Sequence, residues 1–154
     1  MLKKGDKIDQ LTFKTSTGHT YDLETLKEHK AVVFFFYPKD FTSGCTKEVC
    51  HFRDFYSEIR EAGGAIFGIS LDDDASHEAF RDKHTLPYEL ISDKEKTLSR
   101  QFGVLRLGGL LLVRRATFVI DPQTGEVVDA FSSELNMNVH ADRALESIKA
   151  LADK

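Results

Sequence analysis

The chain has 154 residues, a formal net charge of -4, 41% apolar residues and 30% charged ones. That length suits one domain, residues 1–154, able to bury roughly 68–70% of its unfolded surface without staples. Net acidity with no basic run argues against nucleic acid or an anionic membrane as a partner. The longest apolar runs, "AVVFFFY" and "LGGLLLV", are too short to span a bilayer.

The opening "MLKKGDKIDQ" has basic residues but no apolar stretch behind them, so it does not read as a signal peptide. The expected location is the cytoplasm. "LTFKTSTGHTYDL" alternates around Thr17-Gly18 and predicts an N-terminal β-hairpin. "AVVFFFYP" is a continuous apolar strand of the kind buried on both faces. From Thr42 to Ala62 the apolar residues Val49, Phe52, Phe55, Tyr56 and Ile59 recur at helical steps, and Gly63-Gly64 ends the pattern. "AIFGISLD" predicts a second buried strand, "DASHEAFRDKH" a helix from about Asp74, "YELISD" a short strand and "KTLSRQFGV" a short helix. "ATFVID", the turn "PQTG" and "EVVDAF" form a strand pair, and "HADRALESIKALAD" is a closing amphipathic helix. Strands alternating with helices, with hairpins at both ends, predict an α/β domain with a mixed central sheet flanked by helices. The three prolines, Pro38, Pro87 and Pro122, fall at element edges.

Both cysteines lie in "FFFYPKDFTSGCTKEVC". In a reducing compartment a close pair is more often catalytic or metal-binding than structural. Cys45 falls at a strand-to-helix junction, where α/β sheets bind ligands and where a helix offers free N–H groups and a partial positive charge. Such a place favours a thiolate. An ordinary cysteine, with a pKa of ~8.5, is only ~3% ionised at pH 7, so full ionisation is worth about 30-fold in nucleophile. A buried, inert cysteine is the bland alternative. The polar residues Thr42 and Ser43, with Gly44, argue against it.

Pro38, Thr42 and Cys45 make the pattern P-x-x-x-T-x-x-C, which resembles the peroxiredoxin active-site motif. The block "YPKDFTSGCTKEVC" is similar to the peroxiredoxin Q, or bacterioferritin comigratory protein, subfamily, and the likeness runs from "GDKIDQLTF" through "RRATFVID" to the last helix. The resemblance implies a thioredoxin-like fold and a thiol-dependent peroxidase acting on hydrogen peroxide and alkyl hydroperoxides. It makes Cys45 the peroxidatic cysteine. It gives the Thr42 hydroxyl a contact to peroxide, has Arg115 stabilise thiolate and transition state, and lets Pro38 shield the site. Taken singly, Thr42 could be only an N-cap, Pro38 a strand terminator and Arg115 a surface charge. Arg114 is expected to face solvent. Glu48 reads equally well as an acid favoured by the helix dipole or as a support for the arginine, as in peroxiredoxins. The subfamily often has proline where Ser43 stands.

Residues five apart on an ideal helix are separated by roughly 8.5–9 Å at Cα, whereas a disulfide needs ~4.4–6.8 Å. Cys45 and Cys50 therefore cannot bridge until the helix start unwinds. The weak helix formers Thr42, Ser43, Gly44 and Thr46 suit such unwinding. Cys50 is then the candidate resolving thiol and thioredoxin the expected reductant, with no need for a second chain, so a monomer is expected. No cofactor and no metal are expected. His51 reads as solvent-facing, and His19, His29, His77, His84 and His140 share no ligand spacing. The alternatives are a thiol–disulfide oxidoreductase, which typically uses C-x-x-C, and a metal-binding or interaction module using Cys45, Cys50 and His51. The apolar segment "LRLGGLLLV" could be a pocket wall or interface, and reads best as a buried strand or loop edge.

Overall fold

A computed structural model describes residues 1–106, 111–134 and 136–152. In chain order the elements are β1 (Thr12–Lys14), β2 (Thr20–Asp22), α1 (Leu23–Leu26), β3 (Ala31–Phe36), α2 (Ser43–Asp54), α3 (Tyr56–Glu61), β4 (Gly64–Ser70) and α4 (Asp74–His84). They continue with β5 (Glu89–Ser92), α5 (Thr97–Phe102), β6 (Leu105–Arg106), β7 (Leu111–Val113), β8 (Ala116–Asp121), β9 (Glu126–Ser132) and α6 (Val139–Ala152).

The central sheet has the order β5-β4-β3-β8-β9. β3 pairs parallel with β4, and β4 with β5, while β8 runs antiparallel to both β3 and β9. The sheet is thus mixed, in a thioredoxin-like α/β fold, with β1 and β2 forming a separate N-terminal hairpin.

The alternation of β3 builds two cores. Val32, Phe34 and Phe36 face one side and pack with Phe13, Leu26, Phe67, Leu98 and Phe102. Ala31, Val33, Phe35 and Tyr37 face the other and meet Cys45, Val49, Phe52, Ile59, Phe80 and the α6 residues Ala141, Ala144 and Ile148. Successive side chains point to opposite faces of a strand, so a continuous apolar run is what a strand covered on both sides requires. Phe35 stacks on Phe52 with ring centroids 4.2 Å apart, which locks the middle of α2 to the sheet.

One expectation is corrected. The single helix read over Thr42–Ala62 is two helices, broken at Phe55, whose φ of -96° and ψ of 2° leave the helical range. No glycine or proline marks the break, so the apolar period runs through it unchanged. The stop at the glycine pair has a structural cause beyond turn geometry. Gly63 takes a φ of 92°, and a Cβ on Gly64 would come within 2.9 Å of Ile59 and Ile148. The short α1 has no counterpart in the sequence reading. It starts with a capping box between Asp22 and Thr25. Leu105 and Arg106 of the apolar segment pair antiparallel with Val113 and Leu111, so its ends form a small sheet of their own. Its glycine pair, Gly108-Gly109, lies outside the described residues, as does Asp153 at the end of the predicted last helix.

Candidate active site

Buried strand β3 delivers the chain to the site. Tyr37 is fully buried, and its hydroxyl donates to Asp40 at 2.6 Å. Asp40 takes a further hydrogen bond from Ser76 at 2.9 Å and lies 2.7 Å from His77 Nδ1. The turn between β3 and α2 is thereby tied to α4. Pro38, in this turn, is half-buried. Phe41 has a φ of 64°, in the left-handed region that non-glycine residues rarely occupy. Its ring lies against Phe80 at 5.0 Å.

Thr42 is the N-cap residue of α2, yet its side chain makes no capping bond. The hydroxyl instead donates to the Lys39 carbonyl at 2.8 Å, and the residue is exposed. Cys45 follows in the first turn with only 1% of its surface exposed. Its sulfur accepts a hydrogen bond of 3.3 Å from Arg115 Nη2. The same guanidinium donates through Nη1 to Glu48 Oε1 at 2.9 Å. One arginine, just ahead of β8, therefore clamps two residues a single turn apart on α2. Arg114 points away and is exposed. The Arg115 backbone is fixed as well. Its N–H donates to Glu134 Oε1 at 3.0 Å, and its carbonyl accepts from Ser132 Oγ at 2.8 Å.

Burial alone would push the Arg115 pKa down, but Glu48 and Cys45 facing it hold the group up, so it stays a cation. Glu48 is fully buried. Burial pushes its pKa up to about 8, against the pull of Arg115. Behind Glu48 stands His140 of α6, also fully buried, with Nδ1 3.4 Å from Glu48 Oε2. Thr117 Oγ1 lies 2.6 Å from the same nitrogen, and Nε2 donates to the Ser133 carbonyl at 3.0 Å. Burial pushes the His140 pKa down, as does the nearby Arg115 charge. The sequence reading left His140 out. Its signal was the helical step His140, Ala144, Ile148, which puts an imidazole on the buried stripe of α6.

Cys50 lies on the same helix, half-buried, and both thiols are free. Partial burial raises the Cys50 pKa. His51 is not simply solvent-facing. It lies 3.1 Å from Asp142 and packs edge-on to Phe55. Farther along α2, the buried Tyr88 hydroxyl donates to the Val49 carbonyl at 2.5 Å. Among the described residues, Asp40, Asp72 and His77 are close enough to share a metal ion. Their oxygens and nitrogens are already engaged with Tyr37, Ser70, Ser76, the Asp40 N–H and the Ile91 carbonyl.

The chain matches the AhpC/TSA family over residues 4–130. It is 39% identical over 151 residues to the chloroplastic peroxiredoxin Q of Arabidopsis thaliana, covering 97% of this chain and 68% of that one. The crystal structure of peroxidoxin BcpB from Mycobacterium tuberculosis superposes with a TM-score of 0.89 at 41% identity, covering 97% of this chain and 98% of that one. The bacterioferritin comigratory protein of Xanthomonas campestris, described with an alkyl peroxide reduction activity, gives 0.82 at 35% identity, with 92% of each chain covered. The chain belongs to the AhpC/TSA family and, within it, to the peroxiredoxins of the Q or bacterioferritin comigratory type: it is a thiol peroxidase with two cysteines.

Proposed function

We propose that this peroxiredoxin reduces hydrogen peroxide and alkyl hydroperoxides through Cys45, resolves the product through Cys50 and is recycled by thioredoxin. The observation that carries the reading is the 3.3 Å hydrogen bond from Arg115 to the Cys45 sulfur. A guanidinium aimed at a nucleophilic sulfur also faces the oxygen on which charge develops during attack.

The Cys45 thiolate attacks the terminal oxygen of the hydroperoxide. An S–O bond forms, the O–O bond breaks, and the leaving oxygen departs as an alkoxide or hydroxide that takes up a proton. Sulfur is oxidised to the sulfenic acid. Arg115 Nε, buried and with no protein acceptor, supplies a further N–H for a peroxide oxygen. The Thr42 hydroxyl has its hydrogen committed to the Lys39 carbonyl, so its lone pair can accept from the peroxide O–H. Pro38, at the end of the buried strand, limits access of bulk water. Glu48 holds Arg115 in register with the sulfur.

Resolution requires the start of α2 to open. Cys50 then attacks the sulfenic sulfur, an S–S bond replaces S–OH, and water leaves. A dithiol reductant reopens the bond by exchange. The whole cycle fits inside one chain and needs no second copy, and a close cysteine pair used catalytically suits a reducing, cytoplasmic setting. No helix of the described residues is long and apolar enough to cross a membrane. The test is peroxide consumption with thioredoxin, its reductase and NADPH. Turnover that depends on thioredoxin is expected. Fast single-turnover oxidation without recycling would reject thioredoxin as the reductant, and no reaction with peroxide would reject the reading itself.

A further inference from the structure

Two buried side-chain atoms among the described residues lack a hydrogen-bond partner, Glu48 Oε2 and Arg115 Nε. The second is the N–H assigned to the peroxide above. The first faces the rear of the site and has no part in it. A buried carboxylate oxygen without a donor is costly, and a protein relieves that cost by giving the oxygen a proton.

The surroundings of Oε2 decide where that proton comes to rest. Its neighbour is His140 Nδ1 at 3.4 Å. The other ring nitrogen meets the Ser133 carbonyl at 3.0 Å, and a carbonyl only accepts, so Nε2 carries a hydrogen. In the neutral ring Nδ1 is then an acceptor and takes the Thr117 hydroxyl at 2.6 Å. An ionised Glu48 would set a negative oxygen against that lone pair. A protonated one removes that negative charge, and the lone pair stays with Thr117. Oε1 is unaffected, because a carboxylic acid still offers its carbonyl oxygen to Arg115 Nη1 at 2.9 Å.

We propose that Glu48 is protonated on Oε2 beside a neutral His140, so that the charge of Arg115 faces Cys45 uncompensated. An ionised Glu48 would make a neutral pair with Arg115 and halve its use to a thiolate. The protonated residue keeps the geometric clamp and gives up the opposing charge. His140, held by Thr117 and Ser133, is a positioning residue that acts through Glu48. It touches neither the sulfur nor the peroxide.

The other groups facing Glu48 agree with this arrangement. Glu134, in the loop after β9, adds a negative charge that disfavours a second one on Glu48. Tyr88, just before β5, is buried, its ionisation is pushed far up and its hydroxyl is taken by Val49. Cys45 and Cys50 share the helix, and among the described residues Arg115 is the cation paired with the carboxyl, His140 standing beside it as a neutral ring. Burial raises Glu48 and lowers His140, the pair of directions that leaves the proton on the acid.

The proposal rests on Cys45 being the nucleophile, so its test has arms that do not need peroxide. Infrared difference spectra of wild type against Glu48→Gln should show a carboxylic-acid C=O band at pH 7 that is absent from the variant. Nitrogen-15 NMR of the wild type should show His140 neutral at pH 7, with hydrogen on Nε2. No acid band, or an imidazolium at His140, overturns the proposal, even if Glu48→Gln does not fold, because both signals can be sought in the wild type by titration. The kinetic arm is the peroxide rate constant against pH. Relative to Glu48→Gln, the wild type should fall on the order of tenfold as pH rises through about 8. A ratio that stays constant across that range overturns the proposal. A protein with the acid band, a neutral His140 and no peroxide reaction would leave the proton where it is placed here and reject the peroxidase reading instead.

Discussion

Cys45 and Cys50 occupy one unbroken helix and face about 140° apart around its axis. Cys45 is buried against the sheet, while Cys50 is half-buried at the margin of the same core. The two halves of α2 are held differently. The later half is pinned by the Phe35–Phe52 stack and by the Tyr88 bond to Val49. The first turn has Arg115 as its side-chain clamp, and that clamp grips the very sulfur and carboxyl involved in the chemistry.

The two cysteines should separate in function. Cys45→Ser is expected to abolish reaction with peroxide. Cys50→Ser should oxidise in the first turnover at near the wild-type rate and then fail to recycle with thioredoxin. Stopped-flow oxidation with mass spectrometry of the product reads both. Rapid peroxide reaction in Cys45→Ser would remove the nucleophile assigned here.

The disulfide form should have a loosened helix start. Amide hydrogen exchange over residues 42–50 is expected to quicken on oxidation, while Phe52 and Ile59, fully buried against the sheet, keep their protection. Equal protection in both redox states would mean that the two sulfurs meet by some route other than unwinding α2.

Gly44 offers a way to slow that step. Its φ lies outside the left-handed range, so alanine fits the backbone. The new Cβ would sit 3.2 Å from Met137 Cε, the far end of a flexible side chain, and 3.4 Å from Arg115 Nη2. Alanine favours the helix over glycine by about 1 kcal/mol. If unwinding precedes closure, Gly44→Ala should slow disulfide formation by about fivefold. Over-oxidation of Cys45 at high peroxide should rise in step. Rapid-quench trapping of the sulfenic acid measures the rate. An unchanged rate would place the barrier elsewhere.

What the sequence made legible follows from how local each signal is. β3 was readable because a short apolar run rich in valine and phenylalanine, ended by Pro38, suits a strand covered on both sides. Cys45 and Arg115 could be singled out because one lies in a short motif and the other, 70 residues on, in the "RRATFVID" stretch that shares the family resemblance. Arg115 was chosen by the family resemblance and Arg114 set on the surface by strand alternation, and the structure leaves Arg114 exposed and Arg115 buried. Glu48 was undecided because an acid in a first helical turn already has a reason to be there. Its partner His140 comes from the far end of the chain, and only the packing of α6 over α2 brings them together. The break at Phe55 was hidden for a similar reason, since it leaves the apolar period intact.

Stability should depend on pH through Glu48. Its folded-state pKa, near 8, lies above its ordinary 4.5. The folded protein therefore binds that proton more tightly than the unfolded chain does. The stabilisation is fully present below about pH 4.5 and is lost as pH rises through 8. Thermal melts of the reduced protein should show Glu48→Gln losing less stability than wild type between pH 5 and pH 8. Parallel curves would mean that Glu48 titrates alike in the folded and unfolded states.

Arg115 can help the reaction in two ways, and pH separates them. It can favour the thiolate before peroxide arrives, or it can stabilise the leaving oxygen during attack. The first effect is bounded. An ordinary cysteine is ~3% ionised at pH 7, so complete ionisation adds at most about 30-fold, and nothing once pH has ionised the thiol in both proteins. The second effect persists once the thiol is fully ionised, because the Nη2 group engaged with Cys45 and the unpartnered Nε stay where the fold puts them. Arg115→Gln should therefore remain slower than wild type on the high-pH plateau, by on the order of 100-fold if it removes one well-placed donor. Peroxide rate constants across pH, with circular dichroism to confirm the fold, make the measurement. Full recovery of the variant at high pH would reduce Arg115 to a group that only favours ionisation. Arg114→Gln is the control. Its side chain is exposed, and its backbone N–H to the Val104 carbonyl survives the substitution, so its rates should match wild type. A large loss there with none at Arg115 would mean that the other arginine of the pair serves the sulfur.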